Sequence, residues 1–113
     1  MIIARLAGGL GNQMFQYAFA RTLSLRHNTP LKIDLSFLKN RNMGPNFVYR
    51  NYELDIFHVV EDFDFSFENC IRAGEPFGSK YLQEMVDSIA VHQINKDIMI
   101  DGYWQSLKYF FRF

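Results

Sequence analysis

Several features that often reveal a protein's class are scarce or absent in this sequence of 113 residues. It has one cysteine, Cys70, so no internal disulfide can form and a reducing compartment is expected. No apolar stretch approaches the ~20 residues of a membrane-spanning helix, and the residues after Met1 do not form a leader pattern. We therefore expect a cytoplasmic protein with neither a signal peptide nor a transmembrane helix, and we leave peripheral association with the inner membrane open.

Net charge is absent as well, because 12 basic residues balance 12 acidic ones. No overall field attracts the chain to nucleic acid, and an anionic ligand has to be held by local geometry. His27, His58 and His92 lack the i, i+4 spacing of a helical metal site, and no P-loop motif is present. We therefore expect no nucleic-acid partner, no histidine-based metal site and no P-loop hydrolysis of nucleoside triphosphates.

The order of apolar patterns predicts an α/β fold in a single domain. Residues 2–7 are apolar and run into glycines, which predicts a buried strand that ends in a tight turn. The spacing over residues 12–27 predicts a helix closed by Asn28 and Pro30, and the alternation over residues 31–35 predicts a second strand. Together these elements predict a right-handed βαβ unit.

The predicted helix has one apolar face and one polar face. The residues expected on the buried face are Phe15, Ala18, Phe19, Thr22 and Leu23. The residues expected to lie away from it are Gln16, Arg21 and Ser24.

The rest of the chain gives weaker signals. Residues 39–51 contain Asn, Gly, Pro and basic residues without periodicity, which indicates a loop. Residues 52–57 and 62–67 alternate, but such short runs do not distinguish a strand from a docked loop. Residues 81–91 are a weak helix candidate, and Ser106 is a fair N-cap for one more helix.

The sharpest motif is Gly-Gly-Leu-Gly-Asn-Gln at residues 8–13, between the first strand and the helix. Gly9 and Gly11 allow a ligand to approach the main chain, and helix N–H groups favour a negative charge such as a pyrophosphate. The amides of Asn12 and Gln13 can bind a phosphate oxygen or a sugar hydroxyl, and Asn12 is equally suited to cap the helix. The alternative is that these residues form only a tight strand-to-helix turn and bind no ligand.

A dinucleotide site is a further alternative for the same turn. Gly9 and Gly11 begin the pattern G-x-G-x-x-G, and Asp34 ends the second predicted strand, where a ribose acceptor would stand. Met14 occupies the third glycine position, which normally permits close packing of helix on strand. A Rossmann-type dinucleotide-binding domain is therefore disfavoured, and Asp34 is expected to be structural.

Two segments resemble a known family. The run GGLGNQMFQYA at residues 8–18 is similar to the N-terminal signature of the family 11 glycosyltransferases, the α-1,2-fucosyltransferases. A compact apolar run at residues 98–100 leads into DGYWQSLKYF at residues 101–110, which resembles that family's second landmark, although Leu107 stands where Glu is usual.

The resemblance implies transfer of L-fucose from GDP-fucose to the 2-hydroxyl of a terminal galactoside, with inversion and without a metal or other cofactor. It implies a two-domain GT-B-like fold, of which residues 1–113 would be the Rossmann-like N-terminal portion, without the C-terminal nucleotide-sugar domain. The alternative is a catalytically inactive fragment or nucleotide-sugar-binding module. No catalytic residue is assigned, and Tyr103 is a further residue suspected of lining a sugar site. The expected substrate-binding residues are Gly9, Gly11, Asn12, Gln13, Trp104 and Gln105.

Two other patterns are interpreted as coincidental. Asp62 and Asp64 form a D-x-D, the metal-binding mark of another glycosyltransferase fold, but a solvated acidic turn explains them better. Residues 70–75 imitate the family's His-x-Arg-x-Gly-Asp motif in part, with Cys and Glu at two key positions. Arg72 is therefore expected to be a solvated loop residue.

Overall fold

The computed structural model describes residues 1–63, 70–74 and 97–105. Within these residues, the strands form one sheet in the order β2-β1-β4-β3, and every neighbouring pair is parallel. The strands are β1 (Ile2–Arg5), β2 (Leu31–Asp34), β3 (Cys70–Gly74) and β4 (Asp97–Asp101). The predicted α/β class is confirmed, whereas membership of a two-domain GT-B-like fold stays a prediction.

The predicted βαβ unit is present, because helix α1 (Leu10–Arg26) connects the parallel strands β1 and β2. The strand is two residues shorter than predicted, and the helix begins two residues earlier, at Leu10. Gly9 occupies the N-cap position, so capping, one of the two alternatives for Asn12, is not the role that it has in the structure. Beyond its C-terminus, Asn28 has a positive φ of 49°, which turns the chain toward β2.

The buried face of α1 differs in part from the predicted one. Phe19 and Leu23 are buried as expected, but Phe15 is 37% exposed. Gln16 and Ser24 are buried, because the Gln16 Oε1 accepts from the Ala7 N–H at 2.9 Å and the Ser24 Oγ donates to a helix carbonyl. A polar side chain can occupy an inward position when one of its polar atoms is hydrogen-bonded, which an apolar pattern does not reveal. The Gln16 Nε2 is buried without a hydrogen-bond partner among the described residues.

The core lies between the sheet and α1. Strand β4 inserts between β1 and β3, with Ile98 opposite Ile2, and its three central residues are almost fully buried. Such a continuous apolar run is typical of a central parallel strand. Trp104, which follows β4, is fully buried and stacks on Phe19 with ring centroids 4.4 Å apart. Burial of each large apolar side chain contributes roughly 1.5–3 kcal/mol.

The chain between β2 and β3 is mostly irregular as far as the structure follows it. A single helical turn, α2 (Ser36–Lys39), follows β2 and was not predicted. The predicted loop at residues 39–51 is confirmed from residue 40 onward, and residues 52–57 contain a 3₁₀ turn, Leu54–Ile56, in place of a strand. The helix candidate at residues 81–91 and the N-cap at residue 106 lie outside the described residues.

Candidate functional site

The two motif segments emerge at the same edge of the sheet. Gly8 follows the carboxyl end of β1, and Tyr103 follows the carboxyl end of β4, the strand next to it. From β1 the sheet extends to β2 on one side and to β4 on the other, so this is a topological switch point. In open parallel sheets, ligands bind in the crevice outside the carboxyl ends of the strands at such a point.

The glycine turn is shaped by what surrounds each glycine. Gly8 has a φ of +79°, and a Cβ there would collide with the Asn12 amide nitrogen. A Cβ on Gly9 would lie 3.5 Å from Nη1 of Arg50, whereas a Cβ on Gly11 would meet nothing within 4 Å. Gly8 is therefore required by the turn itself, and the space over Gly11 is open.

The first turn of α1 has backbone N–H groups without partners in the helix. The first bond of the helix runs from the Gln13 N–H to the Gly9 carbonyl at 3.0 Å, and no side chain among the described residues caps this end. The N–H groups of Leu10, Gly11 and Asn12 precede that bond and have no partner within the helix. With no acidic residue in the first turn, this end keeps the positive potential of the helix dipole.

A cation lies beside this helix end. The guanidinium of Arg50 approaches Gly9, and Arg50 is exposed. In the part of the chain that the structure describes, no carboxylate pairs with Arg50. Sequence reasoning missed this residue, and the only available signal was a group of basic residues in a loop of an otherwise neutral chain.

The predicted residues Asn12 and Gln105 contact each other across the switch point. The Gln105 Nε2 donates a hydrogen bond to the Asn12 Oδ1, which joins the first turn of α1 to the segment after β4. These residues are 93 positions apart in the sequence, so their contact depends on β4 lying next to β1. The structure thus brings the two motif segments together on an exposed surface.

Gln13 is a structural residue in this arrangement. Its side chain is fully buried, and its Nε2 donates to the carbonyls of Gly8 at 2.9 Å and Asn51 at 2.8 Å. Its Oε1 accepts from the Glu53 N–H at 2.9 Å. Gln13 therefore fastens the glycine turn to the segment that follows Arg50, and it has no exposed surface for a ligand.

Trp104 and Tyr103 have opposite environments. Trp104 is fully buried against Phe19, so the expectation that Trp104 lines a sugar site does not match its position in the core. Tyr103 is 49% exposed and lines a cleft of about 100 Å³ next to the glycine turn. The residues that line this cleft include Gly8, Phe37, Phe47, Tyr49, Arg50 and Tyr103.

An ion-pair group lies beneath the cleft at the ends of the strands. The Asp101 carboxylate pairs with Arg5 on β1 at 3.0 Å and with Arg72 on β3 at 3.4 Å. The Arg5 guanidinium in turn lies 4.8 Å from the ring centroid of Phe37, which lines the cleft. Arg72 is on a strand, so the expectation of a solvated loop residue is wrong, although its side chain is largely exposed.

The acidic candidates have structural partners. The Asp34 Oδ1 accepts from the Ser36 N–H at 2.9 Å, which agrees with its expected structural role. Asp62 pairs with Lys32, and Asp64 lies outside the described residues. Among the residues that the structure describes, no group of three His, Cys, Asp or Glu could hold a metal ion.

Burial shifts two titratable groups, Tyr52 and Cys70, and Cys70 lies at the amino end of β3, away from the carboxyl edge of the sheet. Burial, together with repulsion from the Glu61 carboxylate, raises the pKa of Tyr52 to about 12. Burial also raises the pKa of the Cys70 thiol, and the nearby Asp97 carboxylate adds to the effect. Both groups therefore stay protonated at neutral pH, and neither is suited to act as a general base at that pH.

The described residues form a Rossmann-like α/β unit with a cleft at the carboxyl edge of a parallel sheet. No family model matches the chain, and no solved structure matches it either. It is similar to an alpha-1,2-colitosyltransferase of Escherichia coli, with 32% identity over 118 aligned positions that cover 97% of this chain. The chain spans 41% of that relative's length. This similarity supports a relationship to a bacterial glycosyltransferase.

The same findings bear on the expected location of the protein. Over the ranges that the structure describes, no helix combines the length and apolarity needed to cross a membrane. Association with the inner membrane stays a prediction.

Proposed function

We propose that this chain forms the glycine-loop portion of a glycosyltransferase that moves L-fucose from GDP-fucose to the 2-hydroxyl of a terminal galactoside. The observation that carries the proposal is the similarity to an alpha-1,2-colitosyltransferase along 97% of the chain. The α-1,2 linkage in the relative's name agrees with transfer to a 2-hydroxyl. The two motif segments, 8–18 and 101–110, support fucose and GDP through their resemblance to α-1,2-fucosyltransferases.

The local geometry supports a role in binding the donor diphosphate. When a glycosyl group leaves, negative charge accumulates on the diphosphate, and fixed donors that face this charge lower the barrier. The head of α1 supplies N–H groups, and Arg50 beside Gly9 supplies a cation without a carboxylate partner among the described residues. Charge-assisted hydrogen bonds from a guanidinium to phosphate are among the stronger ones in proteins. We therefore assign the diphosphate to this corner of the crevice.

A second donor sugar is favoured by one specific observation. The relative is named for colitose, a deoxy sugar that differs from fucose by the loss of one ring hydroxyl. A site that accepts one of these sugars needs few changes to accept the other. Colitose transfer from a GDP-linked donor is thus the second candidate for this chain.

A transfer assay tests the proposal directly. The protein is incubated with lactose and either GDP-fucose or GDP-colitose, with and without EDTA, and the products are identified by mass spectrometry. We expect a fucosylated or colitosylated disaccharide in the presence of the chelator. Binding of GDP-fucose by calorimetry without any product would indicate the alternative, a nucleotide-sugar-binding module. Absence of both binding and product would contradict the proposed function.

Variants test the assigned corner. We expect Arg50→Gln to weaken GDP binding by about ten- to a hundredfold, since hydrogen bonds to charged groups contribute ~1.5–3 kcal/mol and 1.4 kcal/mol is tenfold. Asn12→Ala should lower transfer strongly with little change in melting temperature, because its bond to Gln105 is exposed. Arg26→Gln at the far end of α1 is the matched control and should leave GDP binding unchanged. Equal binding by the Arg50 and Arg26 variants would exclude a phosphate contact from Arg50.

A further inference from the structure

The cleft beside the glycine turn has aromatic walls from two separate parts of the chain. Phe37, Phe47 and Tyr49 come from the segment after β2, and Tyr103 comes from the segment after β4. Its lining is mainly apolar. The polar guanidinium of Arg50 lies in the same lining, next to the glycine turn.

The wall after β2 is held in place by a series of contacts. Phe37 packs edge-on against Phe47 at 6.1 Å, and Phe47 packs edge-on against Tyr49 at 5.1 Å. The Tyr49 hydroxyl donates to the Arg41 carbonyl at 2.6 Å and accepts from the Met43 N–H at 2.9 Å. Edge-to-face aromatic pairs add stability beyond buried area, so these contacts stabilise this wall.

The other end of the series is fixed to the sheet. Phe37 lies under the Arg5 guanidinium, and Arg5 is held by the Asp101 carboxylate. Asp101 is the last residue of β4, and Tyr103 follows it two residues later. The same short segment therefore supports one wall and supplies the other.

The size and shape of the cleft restrict its occupant. Pockets for whole drug-sized ligands measure ~300–1,000 Å³, so a cleft of about 100 Å³ takes only one ring of a larger ligand. Phe47 and Tyr49 stand at an interplanar angle of 63°, and they do not form the parallel slot that a sandwiched base requires. A pyranose ring presents an apolar C–H face to aromatic walls and hydroxyls to a polar rim, which matches this lining.

We propose that this cleft binds a pyranose ring of the glycosyl-transfer reaction, with its C–H face against Phe47, Tyr49 and Tyr103 and its hydroxyls toward Arg50. The inference rests on the proposed function, because the diphosphate is assigned to the corner formed by Gly9 and Arg50. In a nucleotide sugar the sugar is bonded directly to the terminal phosphate, whereas the base is separated from the diphosphate by ribose. The rings closest to the diphosphate are therefore the transferred pyranose and the ribose, and the nucleobase lies one ring further away. The mainly apolar lining of the cleft favours the C–H face of the pyranose.

The test compares two cleft variants with a matched control. Tyr103→Ala removes one wall at a half-exposed position, and Phe47→Leu keeps apolar bulk while it removes an aromatic face. Phe57→Ala removes an aromatic side chain of similar exposure, 42% against 49% for Tyr103, that does not line this cleft. Binding of GDP, GDP-fucose and lactose to each protein is measured by calorimetry, and melting temperatures confirm that each variant is folded.

We expect the two cleft variants to weaken binding of one sugar-bearing ligand about five- to tenfold, while GDP binds as before. Weaker GDP-fucose binding identifies the ring as the transferred sugar, and weaker lactose binding identifies it as the acceptor. Equal losses for GDP and GDP-fucose would overturn the inference, since the cleft would then hold the nucleotide. Unchanged binding of every ligand, or the same loss in Phe57→Ala, would overturn it as well.

The outcomes also separate this inference from the proposed function. If GDP and GDP-fucose fail to bind but lactose binds and loses affinity in the cleft variants, the cleft is a sugar site and the nucleotide assignment is wrong. If GDP binds normally and no sugar-bearing ligand distinguishes the variants, the diphosphate corner stands and the cleft assignment is wrong. Failure of every ligand to bind the parent chain contradicts both.

Discussion

The glycines of the turn differ in what an added methyl group would meet, so alanine at each position has a different expected result. At Gly8 the φ of +79° is strained for an L-residue, and the methyl would collide with the Asn12 amide. The left-handed conformation alone disfavours alanine by ~1–2 kcal/mol. Since 1 kcal/mol corresponds to roughly 4 °C in a domain of this size, Gly8→Ala should lower the melting temperature by about 4–8 °C.

Gly11→Ala should act in the opposite direction on stability. Gly11 lies in the first turn of α1, and its methyl would meet nothing within 4 Å. Alanine is the better helix former by up to ~1 kcal/mol, which predicts a melting temperature raised by about 2–4 °C. If a phosphate approaches the main chain here, the same methyl displaces it, and GDP binding should fall by about tenfold or more.

Thermal unfolding by circular dichroism and GDP calorimetry on the same samples check both parts. Leu25→Ala, at an exposed position near the other end of α1, is the control and should change neither GDP binding nor the conformation of the glycine turn. A stabilised Gly11→Ala protein that binds GDP as well as the parent would refute the close approach of phosphate to Gly11. A Gly8→Ala protein with an unchanged melting temperature would refute the geometry of the turn.

Three further predictions concern groups around the site. Gln13→Leu should lower the free energy of unfolding by ~2 kcal/mol in urea titrations, because three main-chain groups lose their partner; an unchanged value would contradict the fastening role. Asp101→Asn should lower it by ~1–2 kcal/mol at low salt and by less at high salt, since the bonds to Arg5 and Arg72 are partly exposed; equal losses at both salt concentrations would argue against an ionic contribution. The raised pKa of Tyr52 means that the folded state holds the phenolic proton more tightly than the unfolded state does. The contribution of this proton to the free energy of unfolding is therefore complete below pH 10 and is lost between pH 10 and 12. Tyr52→Phe should remove that part of the alkaline loss, as measured by unfolding titrations across this pH range.

Much of the first half of the fold follows from local patterns. The apolar run before the glycines and the alternation before Asp34 each indicate a strand, and the helix between them requires these strands to be parallel neighbours. The exact helix start was not predictable, because Asn12 is a preferred N-cap residue and Gly9 is less so. The observed position of Asn12, folded over Gly8 and bonded to Gln105, depends on contacts from outside the helix.

The cleft could not have been predicted to the same extent. Its β2-side wall lies in a segment without periodicity, where Phe47 and Tyr49 look like ordinary core residues of an aromatic-rich chain. Arg50 has significance only because Gln13 holds the following residues against the glycine turn, through a hydrogen bond that spans 38 positions. Hydrogen bonds between residues so far apart in the sequence leave no pattern in residue spacing. The position of Arg50 beside the glycine turn can therefore be found only from the folded structure.

The alternation of buried and exposed residues within each motif explains why neighbouring residues have different roles. Gln13 and Trp104 are fully buried and hold their segments against the body of the domain. Asn12 and Gln105, each adjacent to one of them, meet on the exposed side at the switch point. A substitution at a buried position should therefore act through stability and reduce all activities together. A substitution at an exposed position should change binding or transfer in a protein that melts as the parent does, which is the behaviour required of a residue that contacts substrate.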